Sequence, residues 1–355
     1  MREDKLFDFA IGNPPYQLPS DNTSDKSVYN VFMDGAYKVA DKVELITPAR
    51  FLSNAGNTPT EWNERMLNDT HFKILQYAED SKKFFPVAEI KGGILISYYD
   101  NSQQFEPVKV FTKFPKLNDI LHKVIRNSSF EPISNKVFSP ESYKFTDVLY
   151  EDHPDISSMT WIVNGDVRPL ISRGHEKDLT TNIFDKLSDI VFFDEKPSEE
   201  SIMIAGRKNN KRKLMWIERK YIKQHQNLDC YKVLLPKSNG GGIFGEILSD
   251  AISVGPGTGH TQTFISIGAF ETEQEVKNLL TYIKTKFLRA MLGVMKVTQD
   301  NKQGCWKYVP LQDFTSDSDI DWSKPIKDID QQLYRKYKLT DDEIDFIETH
   351  VKEMN

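Results

Sequence analysis

Residues 7–17 read FDFAIGNPPYQ. Together with Leu6, the apolar run LFDFAIG predicts a buried strand. The two prolines that follow donate no backbone hydrogen bond, so they end that strand. What they leave is chemically specific. The Asn13 side-chain oxygen is an acceptor, and the Pro14 carbonyl is a second one on a backbone that the proline ring stiffens. Two fixed acceptors suit a planar NH2 group, which has two hydrogens to give. Holding both draws the nitrogen out of conjugation with its ring and frees its lone pair, a form of electrostatic preorganisation. Tyr16 offers a flat face on which a base can stack. The carboxyl end of a strand is also where open α/β sheets place their ligands.

Outward from this stretch, strands and helices alternate. SVYNVFMDGAYKVADK predicts a helix with Tyr29, Phe32, Met33, Ala36, Tyr37 and Ala40 on one face. KVELITPARFL predicts a strand ending at Pro48, TEWNERMLND a helix, and FKILQYAE and GGILISYYD two further strands. Such alternation indicates an α/β sheet. The pattern dissolves near residue 100, and a region of different texture begins at 115. It carries glycines at 240–242 and at 255, 257 and 259, and short strands such as SIMIAG and KLMWIE. A capping box at Thr272 and Glu275 opens a helix whose apolar face is Val276, Leu279, Leu280, Ile283 and Phe287. A second box, Thr340 with Glu343, opens a helix burying Ile344, Phe346, Ile347 and Val351. The expected boundaries are 1–114 for the first domain and 115–355 for the second, an α+β domain with a helical tail.

The string [DN]PP[YFW] after an apolar strand resembles motif IV of amino-methyltransferases, most closely the N6-adenine DNA methyltransferases of restriction–modification systems. VELITPARFL looks like the next strand of that family's sheet. KKFFPVAEIKGGILISYYD resembles its later motif, in which a Phe-Pro precedes an apolar strand. The resemblance implies a Rossmann-like (class I) methyltransferase sheet, present incompletely, followed by a DNA target-recognition domain. It implies that Asn13, Pro14, Pro15 and Tyr16 are catalytic. Phe85 then stacks on the flipped adenine from the face opposite Tyr16, with Phe84 as a possible substitute and Ile90 as the apolar residue five positions on. It also implies S-adenosylmethionine as cofactor, with Asn13 and Pro14 at its methyl-bearing end. KVLLPKSNGGGIFGE, GPGTGHTQTFISIGAF, YIKTKFLRAMLG, KVTQD and WKYVPLQDFTSDSDIDW resemble the recognition half of large enzymes of this group. The family's glycine-rich cofactor turn, expected upstream of the NPPY string, has no match in the twelve residues before Asn13. The expectation is therefore a fragment, a subunit whose partner chain or upstream segment supplies the cofactor half, or a remnant, and LFDFAIG, without the strand it pairs with in that family, becomes a bare apolar edge that invites pairing with another chain.

Other readings share these residues. Protein-glutamine and RNA-base methyltransferases use the same planar NH2, although the long second domain argues against them. N4-cytosine enzymes more often begin the motif with Ser or Asp. A DNA-specificity subunit with a vestigial catalytic half is the non-enzymatic alternative.

The 355 residues carry a formal net charge of −6, which by itself speaks weakly against a nucleic-acid partner. The charge is unevenly spread, however. From Ser201 to Gly245 there are ten basic residues and only two acids, Glu218 and Asp229. Arg207, Lys208, Lys211, Arg212, Lys213, Arg219, Lys220 and Lys223 are the candidate contacts to the phosphates of double-stranded DNA, against the plainer alternative of a solvated face. No apolar run is long enough to span a bilayer, and the start MREDKLFDF has no signal-peptide core. Two cysteines, Cys230 and Cys305, exclude a disulfide framework and cannot alone make a four-ligand zinc site. These features predict a cytoplasmic protein with reduced thiols, no membrane partner and no metal.

Overall fold

The computed structural model describes residues 5–18, 26–53, 57–86, 90, 92–296 and 298–354. The protein is a mixed α/β chain with several sheets. It divides into two compact units, Met1–Asn118 and Asp119–Asn355. None of the described helices is long and apolar enough to cross a membrane.

In the first unit, strand β1 (Phe7–Gly12) leads through helix α1 (Tyr29–Val39) to strand β2 (Ala40–Pro48), which lies parallel to it. A helical crossover is what a parallel pair requires. Helix α2 (Thr60–Asn68) then precedes β3 (Phe72–Ala78), and β4 (Ile94–Asp100) runs antiparallel to both β2 and β3. The sheet order is β1-β2-β4-β3. Strand β2 buries Val43, Leu45 and Thr47 at alternate positions, and the apolar pair joins the core that α1 and α2 also supply. Tyr29, Met33, Phe51, Trp62, Met66 and Phe72 form the centre of that core. The predicted helical face of α1 holds at Tyr29, Met33 and Tyr37, whereas Phe32 is exposed.

Strand β1 holds the edge position that the resemblance leads one to expect, but not the burial that its apolar composition predicts. It is an edge strand, and Phe7, Phe9 and Ile11 are 59, 63 and 79% exposed. Only Ala10 on the opposite face packs into the core. Among the described residues no strand pairs with its outer side. Apolar composition predicted burial, but burial needs a layer over the face, and the described residues leave Phe7, Phe9 and Ile11 largely open, with only Lys42 lying over the Phe9 ring.

In the second unit, strands β5 (Ser201–Lys208) and β6 (Lys211–Glu218) form a hairpin. Its two-residue turn, Asn209–Asn210, has φ of 50° and 61°, the conformation that matches strand twist in tight hairpins. A second sheet joins β7 (Tyr231–Pro236), β8 (Ile252–Val254) and β10 (Phe264–Phe270), while β9 (Thr258–His260) pairs in parallel with β5. Both predicted capping boxes are formed. The first helix ends at Lys284, however. Thr285 leaves the helical conformation and caps a separate helix, accepting a hydrogen bond from the Leu288 amide. Phe287 therefore belongs to this next helix. Toward the end of the chain lie helices α3 (Glu273–Lys284), α4 (Lys286–Leu292), α5 (Ile326–Lys336) and α6 (Asp341–His350).

Candidate active site at the end of the first strand

Asn13, Pro14, Pro15 and Tyr16 follow β1 directly, at the carboxyl end of the sheet. The side chains of Asn13 and Pro15 are exposed, and Pro14 is half-buried. The chain is held just beyond them by the Val28 amide, which donates to the Tyr16 carbonyl over 3.1 Å. A short ribbon pairs Gln17 with Ser27 and Leu18 with Lys26. The Tyr16 ring packs against the core of the unit, and its hydroxyl is buried beside the Asn13 side chain without a well-formed hydrogen bond to any described residue. Burial pushes the phenol up to about 12, with the nearby Asn13 side chain offsetting some of that rise. Tyr16 is thus a neutral, fixed aromatic surface at any physiological pH.

Phe84 and Phe85 lie beyond β3, after the turn Ser81–Lys83. The amides of both donate to the Ser81 carbonyl, over 3.0 and 2.8 Å. Phe84 is half-buried and Phe85 likewise, and neither belongs to the core cluster around Phe51. Since β1 and β3 both run opposite to β4, their carboxyl ends share one end of the sheet. They are its two edges, three strand spacings apart, or about 14 Å. The fold therefore brings Tyr16 and Phe85 to the same rim without stacking them on each other.

Sequence reasoning passed over a polar cluster beside this loop. Tyr29 is buried, which raises its phenol, and the hydroxyls of Thr58 and Ser27 and the charge of Arg50 oppose the rise. Among the described residues the Asn30 side-chain oxygen is buried without a partner. Tyr29 and Asn30 look in sequence like an ordinary helix start, and no motif marks them.

A methyl donor of the adenosine–methionine type needs a glycine turn joining a strand to a helix, and an acidic residue nearby. Among the described residues no such set stands beside Asn13. The glycine turn at 240–242 is already filled by the chain itself, since the Glu246 carboxylate accepts from the amides of Gly241 (2.9 Å) and Gly242 (3.2 Å). The described residues thus do not fit the whole cofactor.

The basic segment is split by the fold. Arg219 makes a two-pronged contact with Asp229 (2.9 and 2.5 Å). Lys220 pairs with Asp152 and Lys213 with Asp194, each at 2.5 Å. Arg212 donates to the Asp250 carbonyl and lies over the Phe264 ring, and Arg207 donates to Asn210. Lys208, Lys211 and Lys223 form no ion pair with a described residue. In the hairpin register Arg207 faces Arg212 and Lys208 faces Lys211. Like charges directly opposite each other destabilise a sheet, so the hairpin tip is a concentration of positive charge that folding alone does not favour.

Comparison with known proteins bears on the first unit. The Eco57I restriction-modification methylase family matches residues 1–85, a span that contains the NPPY string and ends on Phe85. An uncharacterized adenine-specific methylase of Mycoplasma pneumoniae is 34% identical over 115 residues, covering 31% of this chain and 27% of that protein. The chain thus spans about a quarter of that relative's length. Among solved structures, the type IIG restriction endonuclease BpuSI aligns with 92% of this chain and 50% of its own, at 9% identity and a TM-score of 0.33. The type IIL restriction-modification enzyme MmeI, in complex with DNA, aligns with 98% and 55%, at 10% identity and a TM-score of 0.28. The similarity that carries weight is with methylases, and the family match lies in the first unit.

Proposed function

We propose that the chain is a component of a site-specific DNA adenine N6-methyltransferase of a restriction–modification system, with S-adenosylmethionine as methyl donor. The observation that carries this reading is Asn13-Pro14-Pro15-Tyr16 at the carboxyl end of β1, with the Asn13 side chain exposed. The parallel β1–β2 pair and antiparallel β4 are what an incomplete Rossmann-like methyltransferase sheet would contain. In this reading the second unit recognises double-stranded DNA.

The roles follow from the chemistry of the side chains. The Asn13 oxygen and the Pro14 carbonyl each accept one hydrogen of the adenine amine. The nitrogen becomes tetrahedral, and its lone pair points away from the ring. S-adenosylmethionine, held by a segment or partner chain that carries the cofactor turn, would supply the methyl group, and Asn13 and Pro14 would hold the amine with its lone pair free to receive it. Tyr16 holds the extruded base by stacking, and Phe85 closes on its other face. Flipping costs a few kcal/mol, which DNA contacts in the second unit offset. The unpaired outer side of β1 accepts a strand of the segment or partner chain that carries the cofactor turn.

The test is methyl transfer by the chain combined with such a segment. N6-methyladenine is measured by mass spectrometry after digestion of the DNA. Asn13→Ala is expected to abolish product while leaving DNA affinity nearly unchanged, because Asn13 acts on an amine and not on phosphates. Equal turnover by the variant and the wild type would refute the assignment.

A further inference from the structure

The loop from Asn239 to Ser249 is held more firmly than its position on the surface requires. Three buried polar side chains grip it from beneath. Lys296 donates to the Asn239 carbonyl (2.9 Å) and pairs with Glu246 (2.7 Å), and its own side chain is only 3% exposed. Arg289, also buried, reaches the Glu246 carbonyl, and the Asn239 side chain donates to the Ile247 carbonyl over 3.1 Å. Gly240 has φ +60°, and a Cβ there would collide with the Glu246 carboxylate. Gly245 has φ +72° and lies against the backbone of His350. Within this frame Leu248 is buried, and Phe244 packs against Gly293 and Phe346. The residue preceding each of these points outward. Ile243 is 70% and Ile247 50% exposed.

Two isoleucines held out on a braced loop present a firm apolar edge with little area. A stable protein interface buries about 800 Å² on each side, far more than these two side chains supply. The loop also adjoins the basic hairpin. Arg212 on β6 donates to the carbonyl of Asp250, three residues beyond Ile247. We propose that Ile243 and Ile247 form a wedge that enters a base step of duplex DNA, with the β5–β6 hairpin holding the neighbouring phosphates. Apolar wedges of this kind unstack a step and are favoured where the step is already weakened. Rigidity matters to the function, because a wedge that folds away under load cannot hold neighbouring bases apart. The inference rests on the reading of the second unit as DNA-binding.

The test uses the full chain and two labelled duplexes of one sequence, fully paired or with a central unpaired adenine flanked by 2-aminopurine. The wild type is expected to bind the weakened duplex about tenfold more tightly and to raise the 2-aminopurine signal. Ile243→Ser with Ile247→Ser should bring both duplexes to equal affinity and suppress the signal, with the salt dependence unchanged. Ile243→Leu with Ile247→Leu should retain the preference. An undiminished preference in the serine variant overturns the wedge while leaving DNA binding intact. Concentration-dependent self-association that the serine variant abolishes would also overturn it, assigning the loop to a second copy of the chain. Failure of the wild type to bind either duplex overturns the underlying DNA reading, and the wedge with it.

Discussion

Replacing Lys208 and Lys211 by alanine removes the two facing cations at the tip of the β5–β6 hairpin that form no ion pair with a described residue. If each neutralises one phosphate, each releases counterions that contribute about 0.9 to the slope of log affinity against log salt. The double variant should therefore lose about 1.8 from that slope. A fourfold rise in salt should narrow the gap between wild type and variant by about twelvefold. The structure also supplies the control. Arg219 is already neutralised by Asp229 through two hydrogen bonds, so removing that pair together, Arg219→Ala with Asp229→Ala, should leave the slope unaltered. Anisotropy titrations of a labelled duplex of arbitrary sequence over a salt series measure both. A wild-type slope in Lys208→Ala/Lys211→Ala, or an equal drop in the control, would refute the phosphate-contact assignment and return the hairpin to a solvated surface.

Tyr16→Phe should retain base stacking, because the ring is kept and the hydroxyl makes no well-formed hydrogen bond to a described residue, whereas Tyr16→Ala should abolish the 2-aminopurine signal of an extruded base in the assembled enzyme. Phe85→Ala should weaken the same signal with little loss of stability, since the residue is half-buried; an unchanged signal would make Phe85 a packing residue. Burial, with Lys232 and His225 nearby, holds His260 down to about 3, although the Thr261 carbonyl at its Nδ1 favours the proton. The unfolded chain takes up a proton below about 6.5 that the folded chain refuses, so the contribution of His260 is complete above that pH. It falls by about 2 kcal/mol on reaching pH 5. Asp330, raised by burial to about 6, works in the opposite direction, so the informative quantity is the difference from His260→Gln in urea unfolding. Equal acid sensitivity in the two proteins would exclude His260 as the source.

Local signals in the sequence proved informative where the physics is local. The two capping boxes need only a threonine and a glutamate three residues apart, and both formed. The end of β2 at Pro48 was equally legible. What failed depended on distant partners. The apolar run of β1 is the same whether or not another layer covers its outer face, so the exposure of Phe7, Phe9 and Ile11 could not be read from composition, whereas the edge position was expected from the family resemblance. Thr285 interrupts a continuous apolar face by capping α4 without the glutamate that would advertise a box. The basic count from 201 to 245 could not include Asp152 and Asp194, which the fold brings to Lys220 and Lys213 from outside the segment. The place of the tetrapeptide at the end of β1 was legible, and the orphaned Asn30 oxygen was not. Its significance lies in being buried with no partner among the described residues, which no pattern records.

The one-sided pairing of β1 makes the candidate site sensitive to local opening. A strand hydrogen-bonded along a single edge opens at lower cost than one in the middle of a sheet, and Asn13 hangs from its last residue. Where such opening occurs, the geometry of the two acceptors is a population, open and closed, in exchange. A strand laid along the free side would bind only the closed form and draw the population toward it. If closure occupied about a tenth of molecules beforehand, the apparent affinity for the base would rise about tenfold with no new contact to the base at all. Amide exchange along Phe7–Gly12, slowing as a partner strand is added, would report the fraction of molecules ready to receive an adenine.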